Sequence, residues 1–597
     1  MTYIQRNDSQ RLLSLVDAFG NYDKKVDKQE VDNFRGLIAG GEIGGWKGLD
    51  GFQSVADVVF PQVDRDPSRV LNAPHVGVPT SVNFRYGDSD RINLAERIDV
   101  YRALVANPKV FTPDNAASLI HWLERDLAWA SSSALDVKPE QAKACFDSVG
   151  AFVRELEERV YGFGAKYKPE HQSAIVAANR LRSYLGDYLL LRYPEQLSAA
   201  TSTQPAFVPR DADGKPVHPV HFQVYDPSFN NLRSFDDFPD VFCMTTDAGD
   251  GVGQAIRRVT KEDAYESHLA VVIRGRDKKL YVVEAGNGHG AEATPLDLFG
   301  RLKDESRIQF HFLNDAAFAS PEAKEAFFER AKDYIDVIGK TNNPYDFALG
   351  YFDPPAPGEK LEITKDTPLM CANLVQAFMY WAPLDAYADD KFRSDFGVVH
   401  KPTGEKVVGL TPFLAPFDEG AGVRKILDDW KVKSGETVMP ASAHNPLLRT
   451  VAEARNVDGT KLKDMQIDNA INAFLVNELL NKRDYVMVPP LKASIMTNLI
   501  YGLHALTLKR LLPFEGEAMT RPVIETFLAQ AQAAEPFRAH LQKLNAEYEK
   551  EHGYSMSFYQ LRAATQEAYD DELRARLRGE PVEPSLTSCI HPAALDD

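Results

Sequence analysis

A cysteine, a histidine and a glutamate in the middle of this 597-residue chain stand where nucleophilic thiol chemistry can be built. That chemistry needs a thiolate, a base to take and return a proton, and a group to orient the base. Cys371 lies in TPLMCANLVQAFMYWAP, residues 367–383. Thr367 suits a helix N-cap and Pro368 the first helical position. Apolar residues then recur at Cys371, Leu374, Val375, Phe378 and Met379 until Pro383 stops the pattern. A helix with Cys371 in its first turn is predicted, and unpaired N–H groups and the helix dipole there favour a thiolate. His268 opens the predicted strand SHLAVVIR, and Glu284 closes the predicted strand KLYVVEA. The turn GRDK joins them as a hairpin whose length brings Glu284 beside His268. Each residue also has a plainer explanation. A free cysteine packs as a small hydrophobe, a strand-edge histidine caps a carbonyl, and a strand-end glutamate is solvated. Both readings stand on these residues alone.

The elements that must position them belong to a mixed segment, residues 201–435. Asp240–Met244 and Ile308–Leu313 read as further strands. Pro321–Gly339 reads as a helix capped by Ser320, followed by NPYDF and the proline-rich DPPAPGEK. The expected fold class is α+β, with a small antiparallel sheet flanked by two mainly α-helical domains, 1–200 and 436–597. Helical periodicity is strong in 92–106, 115–131, 138–160 and 170–192, and again in 464–482, 491–512, 520–534, 535–551 and 556–578. Residues 198–220 are rich in Ser, Thr, Pro and Asp without periodicity and mark a boundary. Asn21, Asp23, Asp27 and Glu30 sit at the later ligand positions of an EF-hand loop, but Phe19 replaces the first ligand and Lys24 the turn glycine. A degenerate helix-loop-helix is expected there. DADG at 211–214 is expected to be a turn.

Composition narrows the function. The net charge of −18, from 68 basic and 86 acidic residues, argues against tracking nucleic-acid phosphates or an anionic membrane surface. Four scattered cysteines (Cys145, Cys243, Cys371, Cys589) form no CxxC pair, so neither a disulfide scaffold nor a cysteine zinc site is expected. The first residues lack a basic segment followed by an apolar run, and the expectation is a chain made in the cytoplasm without a signal peptide. Residues 491–512 are too interrupted by charge to span a membrane. GDGVG at 249–253 lacks the Lys-Ser/Thr of a phosphate loop, and HExxH and GxSxG are missing. No metal or cofactor is expected.

Five motifs occur in one order: Pro239-Asp240-Val241-Phe242, Ser267-His268-Leu269-Ala270-Val271-Val272, Val283-Glu284-Ala285, Tyr345-Asp346-Phe347 and Cys371-Ala372-Asn373-Leu374-Val375. This series resembles the circularly permuted, papain-like cysteine hydrolases related to NlpC-type peptidases, in particular the YiiX-like group. It covers roughly a third of the chain and neither helical flank. The resemblance implies a permuted papain-like domain with Cys371 as nucleophile, His268 as base and Glu284 as orienting residue, the histidine preceding the cysteine. Tyr345 is a candidate substrate contact, and His289 an alternative third member. The sequence departs from the group at Pro239 and Ala270, where glycines are usual, and at Ala372-Asn373, where Ser-Glu is usual. The implied activity is hydrolysis of an amide in a peptidoglycan-type peptide or a protein. Acyl transfer or lipid deacylation with the same triad, and a non-catalytic scaffold, are the alternatives. By analogy, large helical flanks on such a module suggest a bacterial effector or toxin with a secretion-system or immunity partner.

Overall fold

The structure is a computed structural model. Its described residues lie, with short internal gaps, within 12–39, 61–72, 94–123, 139–197, 205–286, 290–392, 440–474, 485–487, 534–580 and 590–592. Two compact units are present. One comprises Met1–Ala199 with Tyr548–Glu567, the other Ala200–Glu547 with Ala568–Asp597.

The first unit is built on helices Lys28–Ala39 (α1), Leu94–Ala106 (α2), Ala142–Tyr161 (α3) and Pro169–Arg192 (α4). Of the EF-hand-like residues, Asp27 and Glu30 cap α1. Asp27 Oδ1 accepts the Glu30 N–H at 3.0 Å, and Glu30 Oε2 accepts the Asp27 N–H at 3.1 Å. This reciprocal pair is a capping box. Asn21 and Asp23 lie outside the described residues. The 211–214 segment is a turn, with the Gly214 N–H donating to Asp211 O.

The second unit holds an antiparallel sheet of seven strands: Val220–Val224 (β1), Val241–Asp247 (β2), His268–Arg274 (β3), Leu280–Gly286 (β4), Gly290–Pro295 (β5), Arg307–Leu313 (β6) and Leu448–Asn456 (β7). Their spatial order is β1-β7-β6-β2-β3-β4-β5. The fold class is therefore α+β, with a larger sheet than expected. Alternation assigns the two faces. Val241, Cys243, Leu269, Val271, Ile273 and Val283 pack on one side against the helices Pro321–Thr341 and Cys371–Trp381. Phe242, Met244, Ala270, Val272 and Val282 pack on the other, with Phe229, Phe238, Phe310 and Phe312. Both faces are covered, so β2 is buried at every residue. Helices of this unit include Leu298–Asp304 (α5), Pro321–Thr341 (α6), Cys371–Trp381 (α7) and Gly459–Phe474 (α8). Every residue of α7 is buried, which suits a helix that is apolar nearly all round.

The expected boundary at 435 falls inside this unit, because β7 lies between β1 and β6. The sequence LRTVAEARN conceals a strand because its alternate polar residues are buried with partners. Glu453 Oε1 lies 3.1 Å from Arg307 Nε and 2.8 Å from Arg455 Nη2. Its Oε2 accepts from Gln309 Nε2 at 2.7 Å. Buried charge tied into a network reads, in sequence, like a solvated face. The stretch expected to form a separate C-terminal helical domain is divided between the two units, and 491–512 lies outside the described residues.

Candidate active site

His268 is the first residue of β3, and Glu284 is near the end of β4. Val271 is paired with Val283, so the register places Glu284 opposite Ala270 and diagonally across from His268, within side-chain reach. His268 Nε2 donates to Glu284 Oε2 at 2.7 Å. Cys371 is the first residue of α7, which packs against β3 and β4. Its thiol lies near enough to His268 to help hold the imidazole charged. Nε2 is engaged by Glu284, and Nδ1 is the other ring nitrogen. The structure thus brings Cys371, His268 and Glu284 together at the end of the sheet. Cys371 comes from the helix on one face, while Glu284 is gripped from the other by Arg301 of α5.

The helix begins later than the sequence suggests. Met370, not Thr367, is its N-cap. Thr367 Oγ1 instead accepts the Thr364 N–H at 3.0 Å, closing a turn just before the helix. The amide of Asn343 ties that turn down, donating to Thr367 O at 2.9 Å and to Thr364 O at 2.5 Å. Asn373 Oδ1 accepts the Met370 N–H at 2.6 Å. The Cys371 N–H, in the first turn, has no intrahelical acceptor.

The electrostatics follow from these contacts. Burial works against a charged His268. Hydrogen bonds to Cys371 and Glu284, and the charges of both, outweigh it and hold the imidazolium well above the ordinary imidazole value. Glu284 is also penalised by burial, but His268 and Arg301 bring it down to about 2. Glu305, nearby, has burial as its main influence and rises to about 7, against the opposing charges of His268 and Arg301. The thiols of Cys145 and Cys243 are pushed up by burial, Cys145 to about 12 and Cys243 further. Cys145, Cys243 and Cys371 are equally buried, and His268 is the solvent-facing member of the trio, its side chain 18% exposed.

Tyr345 and His289 lie outside the described residues. Sequence reasoning missed Arg301, Glu305 and Asn343. LFGRLKD reads as a short surface helix, and nothing in its spacing points back to Glu284. Among the described residues, no group of three or more His, Cys, Asp or Glu is placed to hold a metal ion. Among them too, no helix is long and apolar enough to cross a membrane. Comparisons with protein-family models, with curated proteins and with solved structures find no match.

Proposed function

We propose that the chain is a thiol hydrolase that cleaves an amide bond through an acyl-enzyme. The observation that carries this reading is the cluster itself: Cys371 at a helix start beside His268, and Glu284 Oε2 2.7 Å from His268 Nε2. The order of motifs, histidine before cysteine, supports a permuted papain-like arrangement of NlpC type. In this scheme the Cys371 thiolate attacks the amide carbonyl, and the oxyanion forms beside the Cys371 N–H. His268 gives its proton to the leaving amine as the C–N bond breaks, leaving a thioester. A water molecule, deprotonated by His268, then attacks the thioester and releases the acid and the thiolate. Glu284 keeps the imidazole oriented and stabilises its charged form throughout. The substrate class proposed is a peptide amide, of peptidoglycan type or within a protein. The setting proposed is a bacterial effector or toxin.

The test is the pH dependence of Cys371 alkylation by iodoacetamide, read by mass spectrometry against Cys145, Cys243 and Cys589, with His268→Ala as control. Cys145 and Cys243 are as buried as Cys371, so accessibility cancels from that comparison. Alkylation of Cys371 faster than that of the other thiols, and lost in His268→Ala, is expected. Reaction of Cys371 no faster than Cys145 and Cys243 would sink the hydrolase reading.

A further inference from the structure

Glu284 has a second partner besides His268. Arg301 donates from both terminal nitrogens to the two oxygens of the same carboxylate, Nη1 to Oε2 at 3.1 Å and Nη2 to Oε1. Oε2 therefore accepts from histidine and arginine at once. The helix that carries Arg301 is firmly seated. Leu298 and Leu302 are buried among the phenylalanines beneath the sheet, and Asp297 Oδ1 caps α5 by accepting the Gly300 N–H at 2.9 Å. Glu305 also faces the guanidinium, its Oε1 3.7 Å from Nη1. Its Oε2 is buried without a hydrogen-bond partner. A planar fork shared between two carboxylates has little freedom to rotate.

We infer that Arg301 is a positioning residue of this site: its two-point grip holds the Glu284 carboxylate turned towards His268 Nε2, and so holds the imidazole beside Cys371. The consequence for reactivity rests on the hydrolase reading; the geometry does not. A buried carboxylate deprived of its cation tends to take up a proton. A protonated Glu284 no longer stabilises the imidazolium, and the thiolate beside it loses its counter-charge. The plainer alternative is that Arg301 only staples α5 to β4. In that case its removal lowers stability and leaves the histidine unchanged.

Two readouts on the full-length chain separate these. The first is the His268 ring titration, followed by NMR on histidine-labelled protein with His268→Ala for assignment. The second is the pH profile of Cys371 alkylation. In Arg301→Met the His268 midpoint is expected to fall by about one pH unit or more, with alkylation in mild acid slowed about tenfold, since one unit is a tenfold change in protonation. Arg301→Lys keeps the charge without the fork and is expected to restore part of both. Thermal melts run alongside, and if Arg301→Met does not fold, the lysine variant carries the test through its smaller shift. An unmoved His268 midpoint in a folded variant that melts earlier overturns the proposal. An unreactive Cys371 in the wild-type chain defeats the hydrolase reading instead, while the His268 titration still decides the role of Arg301.

Discussion

Glu284 and Glu305 are two half-buried to buried carboxyls that face the same guanidinium, yet they titrate in opposite directions. Burial pushes both up from the ordinary glutamate value of 4.5. Glu284 reverses that push because His268 and Arg301 both donate to it. Glu305 has no comparable donor, and burial prevails. The folded value of Glu284 lies below the unfolded one, so its contribution to stability is present above 4.5 and is lost as pH falls towards about 2. Glu305 binds its proton more tightly in the folded chain. Its contribution is present below 4.5 and is lost as pH rises to about 7. At 1.36 kcal/mol per unit, each window spans on the order of 3 kcal/mol, the His268–Glu284 contact being counted once. Glu305→Gln is therefore expected to be more stable than wild type above neutrality and to lose that advantage in mild acid. Urea unfolding over a pH series measures it, and a difference that does not vary with pH contradicts it.

The strands and helix that carry the site were more legible than what holds them in place. The alternation of Ser267–Arg274 and Lys279–Ala285, with a four-residue turn between, suffices to place His268 and Glu284 diagonally, since hairpin register follows from turn length. Apolar spacing after Cys371 suffices to place it at a helix start. The exact cap was not legible, because the oxygens of Thr367 and Asn373 are both competent acceptors for N–H groups at a helix start, and the folded chain uses Asn373 Oδ1, which accepts from the N-cap Met370. Nor was β5, whose GAEATP mixes small and charged residues, or Val220–Val224, which follows directly on a proline-rich stretch. Asn343 is a further element-level device hidden from sequence. Its carbonyl accepts the Ala291 N–H of β5 at 3.0 Å while its amide holds the turn before Cys371. Asn343→Ala leaves two carbonyls without that donor and is expected to cost about 2 kcal/mol. It should also slow Cys371 alkylation, because the helix start is no longer tied to the sheet. A variant with normal stability and normal thiol reactivity would show that this anchor is dispensable.

At the scale of the molecule, the N-terminal unit is completed by a segment from near the other end of the chain. Phe558 stacks on Tyr184 with ring centroids 3.7 Å apart, and the Arg192 guanidinium lies over the Tyr554 ring at 3.7 Å. Arg192 also donates to the hydroxyls of Tyr188 and Tyr193. Residues 1–199 expressed alone thus lack the partner for a buried aromatic surface. They are expected to melt with poor cooperativity, and co-expression of 534–597 should restore protection of Arg192 and Tyr184 from limited proteolysis and hydrogen exchange. A fragment 1–199 with a sharp, independent transition would count against this. The net charge and the α+β layering were accessible from composition and periodicity, but this long-range closure was not. It depends on contacts across more than half the chain, and no local pattern encodes them.

The late arrival of β7 has a consequence for how the protein is made. β1 is joined to the rest of the sheet only when Leu448–Asn456 pairs with both it and β6. Every residue of the Cys371–His268–Glu284 chain has left the ribosome before that strand is synthesised. During translation the nascent sheet therefore exposes the outer edge of β6, with its open N–H and C=O groups and the buried-to-be Arg307 and Gln309, to whatever binds strand edges. A trigger for holdase capture, and the slow step of folding, are both expected to lie at the same place: the pairing of β6 with a strand that begins 135 residues after β6 ends, counting from Leu313 to Leu448.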